Sequence, residues 1–124
     1  VSAAHAIHAS KLVLENLPLL AKDLKNIKLR SNIAQACVHA GLAFSNTKTA
    51  IAHNLSYPIT LKYGIQHGIA CSFTLPIVTR SMIGIDKIAE ERLQLIFDDN
   101  LEKHVFSQTY KIHKKLLDKY RNSE

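Results

Sequence analysis

A chain of 124 residues with 47% hydrophobic and 21% charged side chains has material for one compact core but not for two, and is far from a disordered composition. The formal charge of +6 raises an anionic partner, yet the basic residues spread over Lys22 to Arg30 and Lys103 to Arg121 among Asp and Glu, the pattern of solvated helix faces, with no nucleic-acid-binding motif beside them. The longest apolar run, Ile69 to Val78, is too short to span a bilayer and no signal peptide is present, so a soluble cytoplasmic protein is expected.

Only four Gly and three Pro occur, and Ala, Leu, Ile and Lys dominate, which predicts helix throughout. No hairpin dipeptides or alternating β-branched runs argue for strands. Residues 2 to 21 read as a first helix, with Ala3, Ala6, Ile7, Val13, Leu14 and Leu17 recurring at three- and four-residue intervals, closed or kinked by Pro18. His5 and His8 on it read as surface residues. Lys22 to Ile27 is a polar connection. A second helix, about 28 to 46, is expected to turn Ile33, Cys37, Ala40 and Phe44 inward; its many small residues suit close helix contact. Gln35 and His39 read as exposed or hydrogen-bonded. Cys37 and Cys71 read as buried packing thiols in a reducing compartment.

A third helix, about 48 to 63, follows a polar corner in which Ser45 or Asn46 would cap it. From His67 to Gly84 an almost wholly apolar helix is expected, its regularity broken by Pro76. Asp86 to Phe97 reads as another helix with Ile88, Leu93 and Ile96 inward. The last, about 100 to 121, has a Lys-rich outer face with His104 and His113 exposed. The chain begins at Val1 without Met, in what reads as mid-helix, which predicts a fragment.

Two histidines concentrate the chemistry. On one straight helix His53 and His67 would lie roughly 21 Å apart at ~1.5 Å per residue. Gly64 between them is a natural helix stop in a left-handed turn, so the chain can fold back and bring the two imidazoles together. Two neutral imidazoles in a mostly apolar pocket suit Zn²⁺ or Fe²⁺. Spacing alone favours two hydrogen-bonded core histidines over a metal pair, since a metal site needs three or four ligands.

The strings AIAHNLSYP and GIQHGIACSFTLP resemble the metal-binding signature of the iron-containing (group III) alcohol dehydrogenases. The resemblance places His53 and His67 on that family's two metal-ligand histidines, Gly68 on the glycine after the second, and Leu75 and Pro76 on the closing pair. Where many members carry a second His four residues after the first ligand, near the proton-relay path, this chain has Tyr57. A phenol can pass a proton or hydrogen-bond a substrate oxygen, although its ordinary pKa of ~10 makes it a poorer acid-base group at neutral pH. The Tyr-Pro variant preceded by AFSNTKTAIAH most resembles the phosphonoacetaldehyde reductase branch.

The resemblance implies an all-α fold, the helical bundle of the dehydroquinate synthase-like C-terminal domain, with residues 1–124 a single metal-binding domain. It further implies Fe²⁺ or Zn²⁺ as metal, NAD or NADP as cofactor and a small alcohol or aldehyde as substrate. The nucleotide would be held by an N-terminal domain absent here, since no glycine-rich phosphate loop occurs in the chain. The family's Asp and first His ligands would lie upstream, so the fragment alone should be inactive, bind metal weakly, and self-associate as a homo-oligomer through apolar surface; a strictly monomeric species at high concentration would count against the last. The competing reading is a small basic helical module that binds a partner or nucleic acid, with His53 and His67 as core residues. Salt-dependent binding to generic DNA would support that alternative.

Overall fold

A computed structural model describes residues 1–45, 47, 51–97, 110–111, 113–118 and 121–122. Five helices have defined bounds: α1 (Ser2–Leu20), α2 (Ile27–Phe44), α3 (Ile51–Tyr63), α4 (His67–Ser81) and α5 (Lys87–Phe97). Residues 110–111, 113–118 and 121–122 are helical too, and no strand occurs among the described residues. The expected all-α fold is therefore observed. No helix among these residues is long and apolar enough to cross a membrane. The chain divides into two compact units, Val1–Lys48 and Thr49–Glu124.

In the first unit α1 packs against α2. The turn between them closes through Asn26, whose side chain accepts the Leu29 N–H at 3.1 Å and whose amide donates to the Asp23 carboxylate at 3.3 Å. Asn26 is thus the N-cap of α2, a residue type preferred there because its oxygen satisfies an orphan donor of the first turn. Arg30 reaches back to the Leu24 carbonyl and ties the turn to the helix.

The seam follows positions three and four apart. Ala9 and Ala36 are its buried apolar members, small enough for the backbones to approach closely. Polar pairs flank them. Buried Asn16 donates to the Leu12 carbonyl at 2.8 Å and accepts from the Asn32 amide at 2.8 Å, while His5 and His39 meet Nδ1 to Nδ1 at 2.9 Å with their rings stacked. Asn16 to Asn32 at one end and His5 to His39 at the other make the pair antiparallel. A buried asparagine satisfied by only one partner register favours that register over slipped ones.

This arrangement corrects three expectations. The buried member of α2 is Ala36, with Asn32, Ile33, His39 and Ala40 half-buried beside it, whereas Cys37 and Phe44 are exposed. His5 is half-buried in the seam, and only His8, edge-on to His39 with ring centroids 4.5 Å apart, stays exposed. Ser45 ends α2 instead of starting α3, its hydroxyl donating to the Leu42 carbonyl at 2.9 Å. Asn46 lies outside the described residues.

The His39 pKa is lowered, first by burial and then by the positive charges that His8 and His5 would carry. A histidine with a depressed folded pKa binds protons more readily when unfolded, so its contribution is present above the ordinary value of about 6.5 and is lost as pH falls below it. The melting temperature should accordingly drop from pH 7.5 to pH 5, and His39→Gln should flatten that slope in circular-dichroism melts. An unchanged slope in the variant would show that the His5–His39 contact carries no such linkage.

In the second unit α3 packs against α4. Gly64 adopts φ +65° and its N–H bonds the Thr60 carbonyl at 2.9 Å, the left-handed stop expected from the sequence. Three residues later α4 begins at His67. Ser56 is fully buried, a small side chain where the helices meet. Helix α4 runs through Pro76 to Ser81, so the proline that was expected to break it is absorbed. Gly84, at φ +81°, makes a second left-handed turn and donates to the Glu90 carboxylate at 3.0 Å. The Asp86 carboxylate then caps α5 by accepting from Ile88 and Ala89 at 2.9 and 3.3 Å. On α5 it is Phe97 that is buried, with Leu93 and Ile96 half-buried; Ile88, expected inward, is exposed.

His113 also departs from expectation. It is half-buried, 2.8 Å from the Ser72 hydroxyl, with its ring edge-on to Phe73. Ser72 gives its single proton to the Ile69 carbonyl at 2.8 Å, so the His113 Nδ1–H is the donor in the pair. Burial lowers the His113 pKa. His104 lies outside the described residues.

Candidate metal centre

Helix α3 carries His53, Ser56 and Tyr57 at i, i+3 and i+4, hence on one face. Helix α4 opens with His67 and presents Cys71 one turn later. The Gly64 turn sets these faces against each other. The His53 and His67 rings lie 4.8 Å apart, nearly perpendicular at 81°. Tyr57 completes the group, its ring edge-on to His53 at 5.2 Å and stacked on His67 at 6.0 Å. The convergence that the Gly64 turn makes possible is therefore present in the fold.

The hydrogen bonds orient both imidazoles. Ser56 donates its proton to the His53 carbonyl at 2.6 Å, so in its long 3.4 Å contact with His67 the ring Nδ1–H donates. That leaves the His67 Nε2 with its lone pair. His53 Nε2 is 2.8 Å from the Tyr57 hydroxyl. When that Nε2–H donates to the phenol oxygen, the His53 Nδ1 lone pair remains on the side facing α4. A partner on the far nitrogen that fixes tautomer and ring plane is a usual feature of metal-ligating histidines.

A third donor enters that sequence reasoning assigned to packing. Cys71 is half-buried, with its sulfur 3.5 Å from His67 Nε2 and 3.9 Å from His53 Nδ1. One ligand atom from each of His53, His67 and Cys71 lies within 4.8 Å of the others, and among the described residues no other group of three or more His, Cys, Asp or Glu meets this condition. The available signal was the His67-to-Cys71 interval of four residues, one helical turn. Small neighbours on both sides concealed it. The set of two imidazoles and one thiol suits a borderline or soft divalent metal.

The site is open on one side, since His67 is exposed and Tyr57 is 50% exposed. A separate apolar cavity of about 490 Å³ is walled by Ile59, Tyr63, Ile69, Phe73, His113 and Leu117. It includes none of His53, Tyr57, His67 or Cys71, so the polar chemistry and this hollow are distinct features.

Comparison with known proteins locates this geometry in a family. The sequence pattern of the Fe-containing alcohol dehydrogenase family, C-terminal, matches residues 2–118. The chain is 37% identical over 76 residues to the NAD-dependent methanol dehydrogenase of Bacillus methanolicus, a stretch covering 61% of this chain and 20% of that protein. It is 35% identical over 80 residues to the 1,3-propanediol dehydrogenase of Citrobacter freundii, covering 64% and 21%. Against the phosphonoacetaldehyde reductase of Streptomyces viridochromogenes it is 36% identical over 67 residues, covering 54% and 17%. No solved structure matches. The chain spans about a fifth of the length of these curated relatives. A helical chain matched over nearly its whole length by this pattern belongs to the Fe-containing alcohol dehydrogenase family, of which it represents the C-terminal part.

Proposed function

We propose that this chain is the metal-holding helical domain of an NAD- or NADP-dependent alcohol dehydrogenase acting on a small alcohol or aldehyde in the cytoplasm. The observation that carries this reading is the convergence of His53 and His67 across the Gly64 turn, within a chain of this family. His53 and His67 would hold Fe²⁺ or Zn²⁺. Such an ion acts as a Lewis acid toward a substrate oxygen and favours hydride exchange with a nicotinamide. Nucleotide binding falls to sequence outside these 124 residues, so the chain by itself is expected to be inactive.

Each residue of the site then has a task. Ser56 and Tyr57 would hold the imidazole planes through His67 Nδ1 and His53 Nε2. Tyr57, half exposed beside His53, would hydrogen-bond the substrate oxygen and accept or return the proton of an alcohol. The exposed apolar side chains of this unit, Leu61 at 85% and Ile77 at 67%, support burial against further sequence or another copy in a homo-oligomer. The alternative reading as a basic nucleic-acid-binding module finds no supporting observation in the site.

The test is a Zn²⁺ titration of the chain followed by the imidazole NMR signals. One equivalent should shift His53 and His67 and leave His5, His8 and His39 unmoved. Tyr57→Phe should weaken binding by about 10- to 100-fold, the usual effect of removing a group that orients a ligand. Shifts confined to the histidines of the first unit, or no saturable binding, would overturn the proposal.

A further inference from the structure

We propose that the Cys71 thiolate is a third protein ligand at the His53–His67 centre, and that it gives the site a preference for zinc or cobalt(II) over iron(II). The proposal rests on the metal-centre reading above and adds a donor to it.

Geometry supplies the first argument. In a tetrahedral zinc site with Zn–S about 2.3 Å and Zn–N about 2.0–2.1 Å, sulfur and nitrogen donors stand about 3.5 Å from each other. The Cys71 sulfur is already 3.5 Å from His67 Nε2 and 3.9 Å from His53 Nδ1. Closing the second gap takes a few tenths of an ångström, and the two imidazole nitrogens, within 4.8 Å of each other, must draw together to about 3.3 Å. His67 and Cys71 share one helix face a turn apart, so α4 itself sets their separation.

Orientation supplies the second. In the tautomers with Nδ1–H of His67 directed at Ser56 and Nε2–H of His53 at Tyr57, the remaining lone pairs belong to His67 Nε2 and His53 Nδ1, 3.5 and 3.9 Å from the sulfur. In that pair of tautomers the three donors converge. A half-buried thiol beside two imidazoles differs in this respect from Cys37, which is exposed on α2 in the other unit.

Chemistry supplies the third. Thiolate is a soft donor that suits zinc and cobalt(II), whereas iron(II) sites more often combine histidine with carboxylate. Binding replaces the S–H bond with a sulfur–metal bond and releases one proton to solvent; no electron is transferred. A negatively charged sulfur also offsets part of the ion's charge in a chain that carries a net +6. Within this chain the donors are then three, beside the Asp and His that the family resemblance places upstream.

The experiment is an anaerobic Co²⁺ titration of the chain followed by absorption. Thiolate-to-cobalt charge transfer in the near ultraviolet should grow together with the visible bands and saturate at one equivalent. Cys71→Ser should abolish the charge-transfer band and weaken Co²⁺ and Zn²⁺ binding at least about tenfold, while Cys37→Ser changes neither. Zn²⁺ should also slow alkylation of Cys71 and not of Cys37 in the unsubstituted chain, a readout that needs no variant to fold. Visible bands without charge transfer, lost in His53→Ala, would overturn the role of Cys71 while leaving the two-histidine centre standing. A charge-transfer band that persists in Cys71→Ser would overturn the role of Cys71, and one that persists in both His53→Ala and His67→Ala would overturn both readings.

Discussion

His53→Ala and His67→Ala are each expected to lower the Zn²⁺ affinity of this chain by at least about 100-fold, close to 2.7 kcal/mol at 1.36 kcal/mol per decade. Each substitution deletes a neutral nitrogen donor, and the loss exceeds the 10- to 100-fold effect of removing an orienting group. Neither imidazole is fully buried, His53 being half-buried and His67 exposed. Truncation should therefore leave the helix content intact, which separates loss of a ligand from loss of the fold. Competition with a chromophoric chelator reads the affinity and far-ultraviolet circular dichroism reads the helices. His39→Ala, in the first unit, should leave the affinity unchanged. Wild-type affinity in either site variant would remove that histidine from the centre.

Gly64→Val should destabilise the chain by about 2 kcal/mol and weaken Zn²⁺ binding with it. No neighbouring atom lies within 4 Å of where a Cβ would be placed at this glycine, so crowding is not the cause. The cost lies in the backbone. At φ +65° a side chain meets its own carbonyl, at roughly 1–2 kcal/mol for an ordinary residue and more for a β-branched one. Relief of that strain requires moving φ to negative values, which re-aims α4 and draws His67 and Cys71 away from His53. Gly64→Asn, which tolerates the left-handed region, should recover most of both losses. Urea unfolding followed by circular dichroism gives the stability, and a change within 0.5 kcal/mol for the valine variant would show that the turn tolerates another backbone shape.

The helices and the turn joining α3 to α4 were legible because their signals are local. A glycine such as Gly64 is a local helix stop, and the periodic apolar residues of α1 mark a helix whatever it packs against. The inward face of α2 was not legible. Ile33, Cys37, Ala40 and Phe44 make as good a stripe as Asn32, Ala36, His39 and Ala40, since alanine suits either side of a helix nearly equally. The choice was made by α1, whose Asn16 requires an amide opposite it and finds Asn32. His113 was misjudged for the same reason, its partner Ser72 being 41 residues away.

Taken by itself, the sequence determined that this protein is helical, where α3 stops, and that His53 and His67 are the residues to watch. All three follow from interactions within a few residues or from the signature that surrounds them. The tertiary structure alone decided that Cys71 lies beside the two histidines, that Tyr57 and Ser56 meet their ring nitrogens, and that His5 and His39 meet between α1 and α2. Those depend on how far each helix is rotated about its own axis, a quantity fixed by side chains on the facing helix.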